Sequence, residues 1–154
     1  MYHGERFNAY SHLAGSMLAV AALVLMTVKA NGPYQLASAL TYGICLILLY
    51  LGSTLYHSIP QPKIKAILQK VDHCMIYLLI AGSYTPFTLI PLKGGWGWSL
   101  FGLSWGLALF GIIQELTIGR KSEKRLLSMM IYVIMGWLIL VAVSPLVRTL
   151  PFAG

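Results

Sequence analysis

Five long apolar segments alternate with short polar connections along the chain. Each segment has about the 20 residues that a helix needs to cross the hydrocarbon core of a bilayer. Turn-forming pairs such as Gly32-Pro33 separate the segments and end the helical pattern between them. The pattern therefore predicts five membrane-spanning helices, at Ser11–Val28, Leu36–Ser58, Val71–Leu92, Trp98–Ile118 and Leu126–Val147.

The composition agrees with a membrane protein. The chain is 58% hydrophobic and only 10% charged, whereas charged residues make up about 25% of soluble domains. No polar linker interrupts it, so residues 1–154 are predicted to form a single, all-α integral membrane domain. The net charge is +7, but the basic residues lie in short connections between apolar segments, which indicates membrane topology and no nucleic-acid partner. Cys45 and Cys74 lack a Cys-x-x-Cys spacing and indicate no disulfide framework.

The lysine and arginine residues divide unequally between the two sides of the predicted bundle. Cytoplasmic loops carry the excess of positive residues in membrane proteins, so the N-terminus is predicted to be cytoplasmic. Trp96 and Trp98 then lie at the outer interface, where amphipathic aromatic rings are enriched. Eight basic residues lie on the cytoplasmic side (Arg6, Lys63, Lys65, Lys70, Arg120, Lys121, Lys124, Arg125) and three on the other (Lys29, Lys93, Arg148).

Polar and ionisable residues collect where the predicted helices meet the cytoplasmic side. Such groups are costly in a membrane, which makes them candidates for function. Ser53 and His57 are four residues apart and share a helix face, so the hydroxyl can orient the imidazole or a water molecule. A histidine on one helix and Asp72 on the next are a plausible half of a metal site. Catalytic zinc usually has three protein ligands and activates a bound water molecule. The collected residues are His12, Ser53, His57, Asp72, His73 and Glu115.

The same residues also have structural interpretations. His12 can hydrogen-bond a backbone carbonyl or water at the interface, and His73 can stabilise the turn beside Asp72. For Asp72 and Glu115 the structural alternative is an ion pair at the membrane interface, worth about 0–1 kcal/mol each. These pairs would join Asp72 with Lys70, and Glu115 with Arg120 and Lys121.

Glycines within the apolar segments predict close contacts between helices. Gly102 and Gly106 form a small-xxx-small step in the fourth segment, whose usual meaning is tight helix packing. The same role is predicted for Gly43, Gly82, Gly111 and Gly136. The sequence contains no glycine-rich phosphate loop, no Ser-His-Asp set and no His-Glu-x-x-His motif.

Three blocks of residues resemble the hemolysin III family, the bacterial relatives of the adiponectin and progestin receptors. The blocks are ERFNAYSHLAG with Glu5, Asn8 and His12, then STLYH from Ser53 to His57, then DHCMIYLLIAGSYTPF from Asp72 to Phe87. Met135–Trp137 fits the family as well. The resemblance implies a seven-helix fold with a cytoplasmic N-terminus, in a bacterial plasma membrane.

The resemblance also implies a zinc site near the inner face. His57 matches a zinc-binding histidine of the second helix, and Asp72 matches the acid that faces the zinc-bound water. Ser53 matches a serine of the wider superfamily, which includes the alkaline ceramidases. His12 belongs to the family pattern, and His12 and His73 are the residues that could support His57 at the metal if they approach it to about 2.0–2.1 Å.

The sequence departs from the family pattern at its end. It stops at Gly154 after five predicted helices, and it contains no His-x-x-x-His, the motif that supplies two zinc ligands in the receptor relatives. We therefore expect a C-terminally truncated member of the family, with doubtful zinc occupancy and little or no activity. Dimerisation is one way to cover the helix flank that two further helices would occupy, so a homo-oligomer is an expected partner beside membrane lipids.

The resemblance implies a zinc-dependent hydrolase of lipid amide or similar bonds, with catalytic Asp72 and Ser53 and metal-binding His57. Two alternatives stay open. One is a membrane-perturbing cytolysin or pore former, which would need a row of polar side chains across the bilayer. The other is a sensor of lipids or membrane fluidity without chemistry.

Overall fold

The computed structural model describes residues 4–118 and 124–149, and it contains no β-strand among them. All five predicted membrane segments are helical. The helices are α1 (Arg6–Val28), α2 (Pro33–Ser58), α3 (Pro62–Leu89), α4 (Gly94–Ile118) and α5 (Lys124–Trp137), followed by a 3-10 segment (Leu138–Ala142) and α6 (Val143–Thr149). The helix α1 begins five residues before the predicted start, and α3 begins nine residues before it, because helices extend beyond the apolar core into the polar interface.

Proline and glycine residues define the connections on both sides of α2. Gly32 has a positive φ of 104°, and Pro33 and Pro62 each occupy the first turn of the helix that they begin. Proline suits this position because the first helical N–H groups have no partner within the helix. The breakers identified in the sequence therefore produce two tight reversals, and α1, α2 and α3 run in alternating directions.

Large apolar side chains cover the outside of the bundle. Phe7, Leu18 and Val28 are exposed by 80%, 71% and 79%. Such a surface is typical of contact with lipid, because a soluble protein of this size exposes only limited apolar patches. Within residues 4–118 and 124–149, four helical segments are long and apolar enough to cross a membrane: Arg6–Val28, Pro33–Ser58, Gly94–Thr117 and Leu126–Thr149. The chain is therefore an all-α, multi-pass membrane protein whose helices contact lipid.

The third helix, α3, lies at the centre of the fold and is the least apolar of the five long helices. It packs against α2, α4 and α5. It carries polar side chains along its length, and Tyr77, Tyr84, Thr85 and Thr88 are buried in contact with the neighbouring helices. Because these groups face protein and not lipid, α3 tolerates more polar residues than the outer helices. This explains why the predicted span Val71–Leu92 is helical but does not reach the hydropathy of the other four.

The glycines separate into packed and open positions. A methyl group added to Gly43 would press on Leu23, one on Gly82 on Cys45, and one on Gly111 on the Tyr77 ring. The predicted packing role is confirmed at these three positions. It is wrong for Gly102, Gly106 and Gly136, where an added methyl group would meet no atom of the described residues within 4 Å. The small-xxx-small spacing identifies candidates only, because the partner helix determines which face of α4 is covered.

Tyr84 of α3 interrupts the hydrogen bonding of the last long helix. Its hydroxyl donates to the Met135 carbonyl at 2.6 Å and accepts from the Ile139 backbone N–H at 2.9 Å. In a regular α-helix these two backbone groups, four residues apart, would bond to each other. The inserted hydroxyl bridges them instead, and side-chain insertion is a recognised cause of helix irregularity. The 3-10 segment begins at this point.

Candidate functional site

The start of α1, the end of α2 and the start of α3 bring polar side chains together at one end of the bundle. We call this set the α1–α3 polar cluster; it consists of Glu5, His12, Ser53, His57 and Lys65. A hydrogen bond of 2.7 Å joins His12 Nδ1 and Ser53 Oγ, which are 41 residues apart in sequence. Ser53 is buried and His12 is half-buried. A hydroxyl that is buried inside a membrane protein is costly unless it has a hydrogen-bond partner. The bond to His12 supplies this partner and fixes the position of both side chains.

Glu5 connects the three helices of the cluster. Its carboxylate lies 2.7 Å from the Lys65 ammonium and 3.7 Å from His57 Nδ1. Lys65 also donates to the Tyr56 carbonyl at 2.9 Å, and its ammonium lies 4.4 Å from the centre of the Tyr56 ring. Glu5 precedes α1, Tyr56 is on α2 and Lys65 is on α3, so these contacts hold the helix ends in register.

The two histidines of the cluster lie side by side. The ring centroids of His12 and His57 are 5.9 Å apart in an edge-to-face arrangement. His57 Nδ1 is buried and makes no hydrogen bond to any residue in the described ranges. Its nearest charged neighbour is Glu5, at a distance longer than a hydrogen bond. The structure thus brings together three sequence-predicted residues, His12, Ser53 and His57.

These side chains do not complete a metal site by themselves. Within residues 4–118 and 124–149, no group of three or more His, Cys, Asp or Glu side chains is placed to hold a metal ion. Catalytic zinc usually has three protein ligands. His12 is bonded to Ser53, and the described residues around His57 do not supply the set that the resemblance implies.

Asp72 lies on α3 close to the depth of Ser53. Its neighbour Val71 packs beside Gly52, the residue before Ser53. The Asp72 carboxylate is half-buried and has no hydrogen bond or ion pair with any described residue. The alternative ion pair with Lys70 is not formed in this part of the chain. The Asp72 carboxylate is therefore not a member of the hydrogen-bond network of the α1–α3 polar cluster.

His73 points to the other side of α3 and joins a second network. We call this the α3–α5 polar cluster; it consists of His73, Gln114, Glu115, Ser128 and Tyr132. His73 Nδ1 lies 3.0 Å from the buried Glu115 carboxylate. Ser128 donates to both Gln114 and Glu115 at 3.2 Å, and the Tyr132 hydroxyl donates to the His73 carbonyl at 3.1 Å.

The second network changes two expectations. His73 is paired with Glu115 and does not lie beside His57. In this arrangement His73 therefore cannot join His57 as a ligand of the same metal ion. Glu115 pairs across the bundle with His73 and Ser128. The partners predicted for it, Arg120 and Lys121, lie outside the described residues.

Sequence reasoning left out Glu5 and Lys65 as site residues. One signal was present: Glu5 and His12 are seven residues apart, which places them on the same face of a helix two turns apart. No comparable signal marks Lys65, Ser128 or Tyr132. Their partners lie on other helices, and sequence spacing does not encode contacts between helices.

The fold and the clustered polar side chains at one end define a multi-pass, all-α membrane protein with a candidate site at the membrane surface. Comparison with known proteins identifies the family more closely. The family described as Haemolysin-III related matches residues 1–154, and the chain belongs to this hemolysin III family. The expected membership is confirmed.

Two relatives show how far the similarity extends. "Hemolysin-3" of Bacillus cereus is 45% identical over 153 residues, which cover 97% of this chain and 69% of the relative. "Hemolysin-3 homolog" of Bacillus subtilis (strain 168) is 43% identical over 153 residues, which cover 97% of this chain and 71% of the relative. No solved structure matches the chain.

Proposed function

We propose that this protein is a membrane hydrolase that cleaves lipid amide or similar bonds in a bacterial plasma membrane. In this proposal the α1–α3 polar cluster and Asp72 belong to its active site. The observation that carries the proposal is the 2.7 Å bond between His12 and Ser53, formed across 41 residues at the end of a lipid-exposed bundle. Polar groups brought together at such a place are candidates for function because membranes make them costly.

Each residue has a chemical role in the proposal. Asp72, which has no partner in the described part of the chain, accepts a proton from the attacking water. Water adds to the carbonyl carbon, the bond to nitrogen breaks, and the leaving amine takes up the proton that Asp72 accepted from the water. Ser53, held by His12, orients the water or the carbonyl oxygen. Glu5 and Lys65 fix the helix ends that carry these groups.

The resemblance to the receptor relatives adds zinc to this proposal, with His57 as a ligand. The described residues do not fit a complete zinc set, so no step of the reaction is assigned to a metal. Metal content of the purified protein tests the role of His57 separately from activity. We expect His57→Ala to lower bound zinc; an unchanged zinc content removes His57 from the ligand set.

Hydrolysis is tested with the purified full chain in mixed detergent–lipid micelles and a ceramide that carries a labelled acyl chain. Released fatty acid is measured by mass spectrometry. We expect Asp72→Asn to slow release by about 100-fold or more, as for loss of a general base. Ser11→Ala is a matched control for Ser53→Ala, because Ser11 adjoins His12 at the same end of the bundle and its hydroxyl donates to the Asn8 carbonyl. Because little activity is expected of a sequence without the His-x-x-x-His motif, release is followed over many hours. Release that never exceeds a protein-free blank, or that Asp72→Asn leaves undiminished, contradicts the proposal.

The names of the two relatives favour a second candidate function, membrane perturbation. The proposal of a pore has less support here, because the two polar clusters join helix ends and do not form a row across the bilayer. Dye leakage from liposomes that is equal for wild type and Asp72→Asn, in the presence of a metal chelator, would favour perturbation. A lipid-sensing role without chemistry predicts a phenotype that Asp72→Asn leaves intact.

A further inference from the structure

A cavity of about 350 Å³ lies at the opposite end of the bundle from the α1–α3 polar cluster. It is bounded by the last turn of α1, the first turns of α2 and the last turn of α3. Leu25, Met26, Pro86 and Ile90 form much of its apolar wall. Along α1, the 17 residues from His12 to Lys29 correspond to about 25 Å, so this cavity is separate from the candidate active site.

Ser38 gives the cavity an unusual polar group. It is one of the lining residues, it is only 2% exposed, and its hydroxyl has no hydrogen-bond partner among residues 4–118 and 124–149. The other buried serines in the described ranges are all bonded: Ser16, Ser53, Ser104 and Ser128. An unpaired hydroxyl in an apolar membrane environment is unfavourable. The hydroxyl is itself buried, so an acceptor oxygen of a ligand in the cavity would remove this cost once the Ser38 side chain rotates toward it.

Lys29 gives the cavity a positive charge at its rim. It follows the last residue of α1, is exposed, and lines the cavity. The three described carboxylates, Glu5, Asp72 and Glu115, all lie toward the other end of the bundle, so none of them neutralises this ammonium group. An anionic molecule bound at this end would therefore meet no competing carboxylate among the described residues.

We propose that this cavity binds an anionic phospholipid. One acyl chain occupies the apolar wall, the Lys29 ammonium pairs with the phosphate, and the Ser38 hydroxyl donates to an ester carbonyl of the glycerol region. Gln35 and Ser38 both line the cavity and lie about one turn apart on α2. The Ser38 hydroxyl, which is the hydrogen-bond donor, therefore lies about 5 Å farther along the helix than Gln35, where α2 first lines the cavity. The cavity thus presents a positive charge, then a hydrogen-bond donor and then an apolar wall. These groups match, in the same order, the phosphate, the ester carbonyl and the acyl chain of a phospholipid.

Lipid binding to the purified full chain tests the proposal, with phosphatidylglycerol and phosphatidylcholine of identical acyl chains as the two probes. Binding is measured by native mass spectrometry from delipidated detergent solution. We expect phosphatidylglycerol to bind about fivefold more tightly, the effect of one basic residue near a membrane surface. Lys29→Gln should abolish this preference, whereas Lys93→Gln should keep it, because Lys93 lies at the same end but does not line the cavity.

Ser38→Ala tests the hydrogen bond separately from the charge. We expect it to weaken both lipids by about threefold while keeping the preference for phosphatidylglycerol. Ser83→Ala is the matched control, because the Ser83 hydroxyl already donates to the Ile80 carbonyl at 2.7 Å. If Ser38→Ala fails to fold by circular dichroism, the exposed Lys29→Gln variant decides the question.

Four results would overturn the proposal. Equal affinity of the wild type for the two lipids removes the charge recognition. An unchanged preference in Lys29→Gln, or an equal loss in Lys93→Gln, removes the assignment of that recognition to this cavity. Tight binding of palmitate that phosphatidylglycerol does not displace identifies a free fatty acid as the occupant and excludes the phospholipid.

Discussion

Replacing Tyr84 by phenylalanine isolates the contribution of a single inserted hydroxyl. The phenylalanine ring fills the same space, so no cavity arises, and only the hydrogen bonds of the hydroxyl are lost, which are a long contact of 3.3 Å to the Gly136 carbonyl and two shorter bonds. These bonds join the Tyr84 hydroxyl to the Met135 carbonyl at 2.6 Å and to the Ile139 N–H at 2.9 Å. Both backbone groups lie where the last helix changes from α to 3-10 geometry.

The loss of unfolding free energy in Tyr84→Phe depends on whether the Met135 carbonyl and the Ile139 N–H find new hydrogen-bond partners. A hydrogen bond contributes about 0.5–1.5 kcal/mol to the stability of soluble proteins, and about 0.6 kcal/mol on average inside membrane proteins. Two lost bonds therefore correspond to about 1–3 kcal/mol of unfolding free energy. The upper part of this range applies if the backbone keeps its present geometry after the hydroxyl is removed. The Met135 carbonyl is buried and would then be left unpaired.

Reversible unfolding in lipid–detergent micelles with increasing sodium dodecyl sulfate measures this free energy. Tryptophan fluorescence is a suitable signal, since Trp137 adjoins the 3-10 segment. Tyr34→Phe makes the same chemical change at a residue that is 53% exposed, and it should stay within about 0.5 kcal/mol of the wild type. Equal stability of Tyr84→Phe and Tyr34→Phe would refute the reasoning, since it would mean that the helix closes directly between Met135 and Ile139 without loss.

Three further predictions concern packing, the second polar cluster and topology. Gly111→Ala should destabilise the fold by about 1–3 kcal/mol because its methyl group would press on the Tyr77 ring, whereas Gly106→Ala should be nearly neutral; equal effects in the same unfolding titration would contradict the assigned packing. Glu115→Gln should cost about 1–3 kcal/mol because the charged acceptor of His73 and Ser128 is lost, and wild-type stability would exclude a structural role for this pair. Alkaline phosphatase fused after Asn31 should be active and one fused after Gln61 inactive, and the reverse pattern would invert the orientation expected from the basic residues.

The sequence by itself determined which segments become helices and where the breakers between them lie. Apolar runs of membrane-spanning length, bounded by residues such as Pro33 and Pro62, leave few alternatives, because backbone groups in lipid must be bonded within a helix. The sequence also brought His12, Ser53 and His57 to one end of the bundle, since alternating helix directions follow from short connections. The family followed from blocks long enough to be specific, such as Asp72–Phe87.

Only the tertiary structure decided which helix faces meet. The outer helices are apolar nearly all round, so their periodicity does not distinguish a face toward protein from a face toward lipid. For this reason Gly102 and Gly106 were wrongly predicted to be packed, and the pairing of His73 with Glu115 was not foreseen. The unpaired hydroxyl of Ser38 likewise emerged only in three dimensions, because whether a polar side chain has a partner depends on atoms that distant parts of the chain bring within about 3 Å.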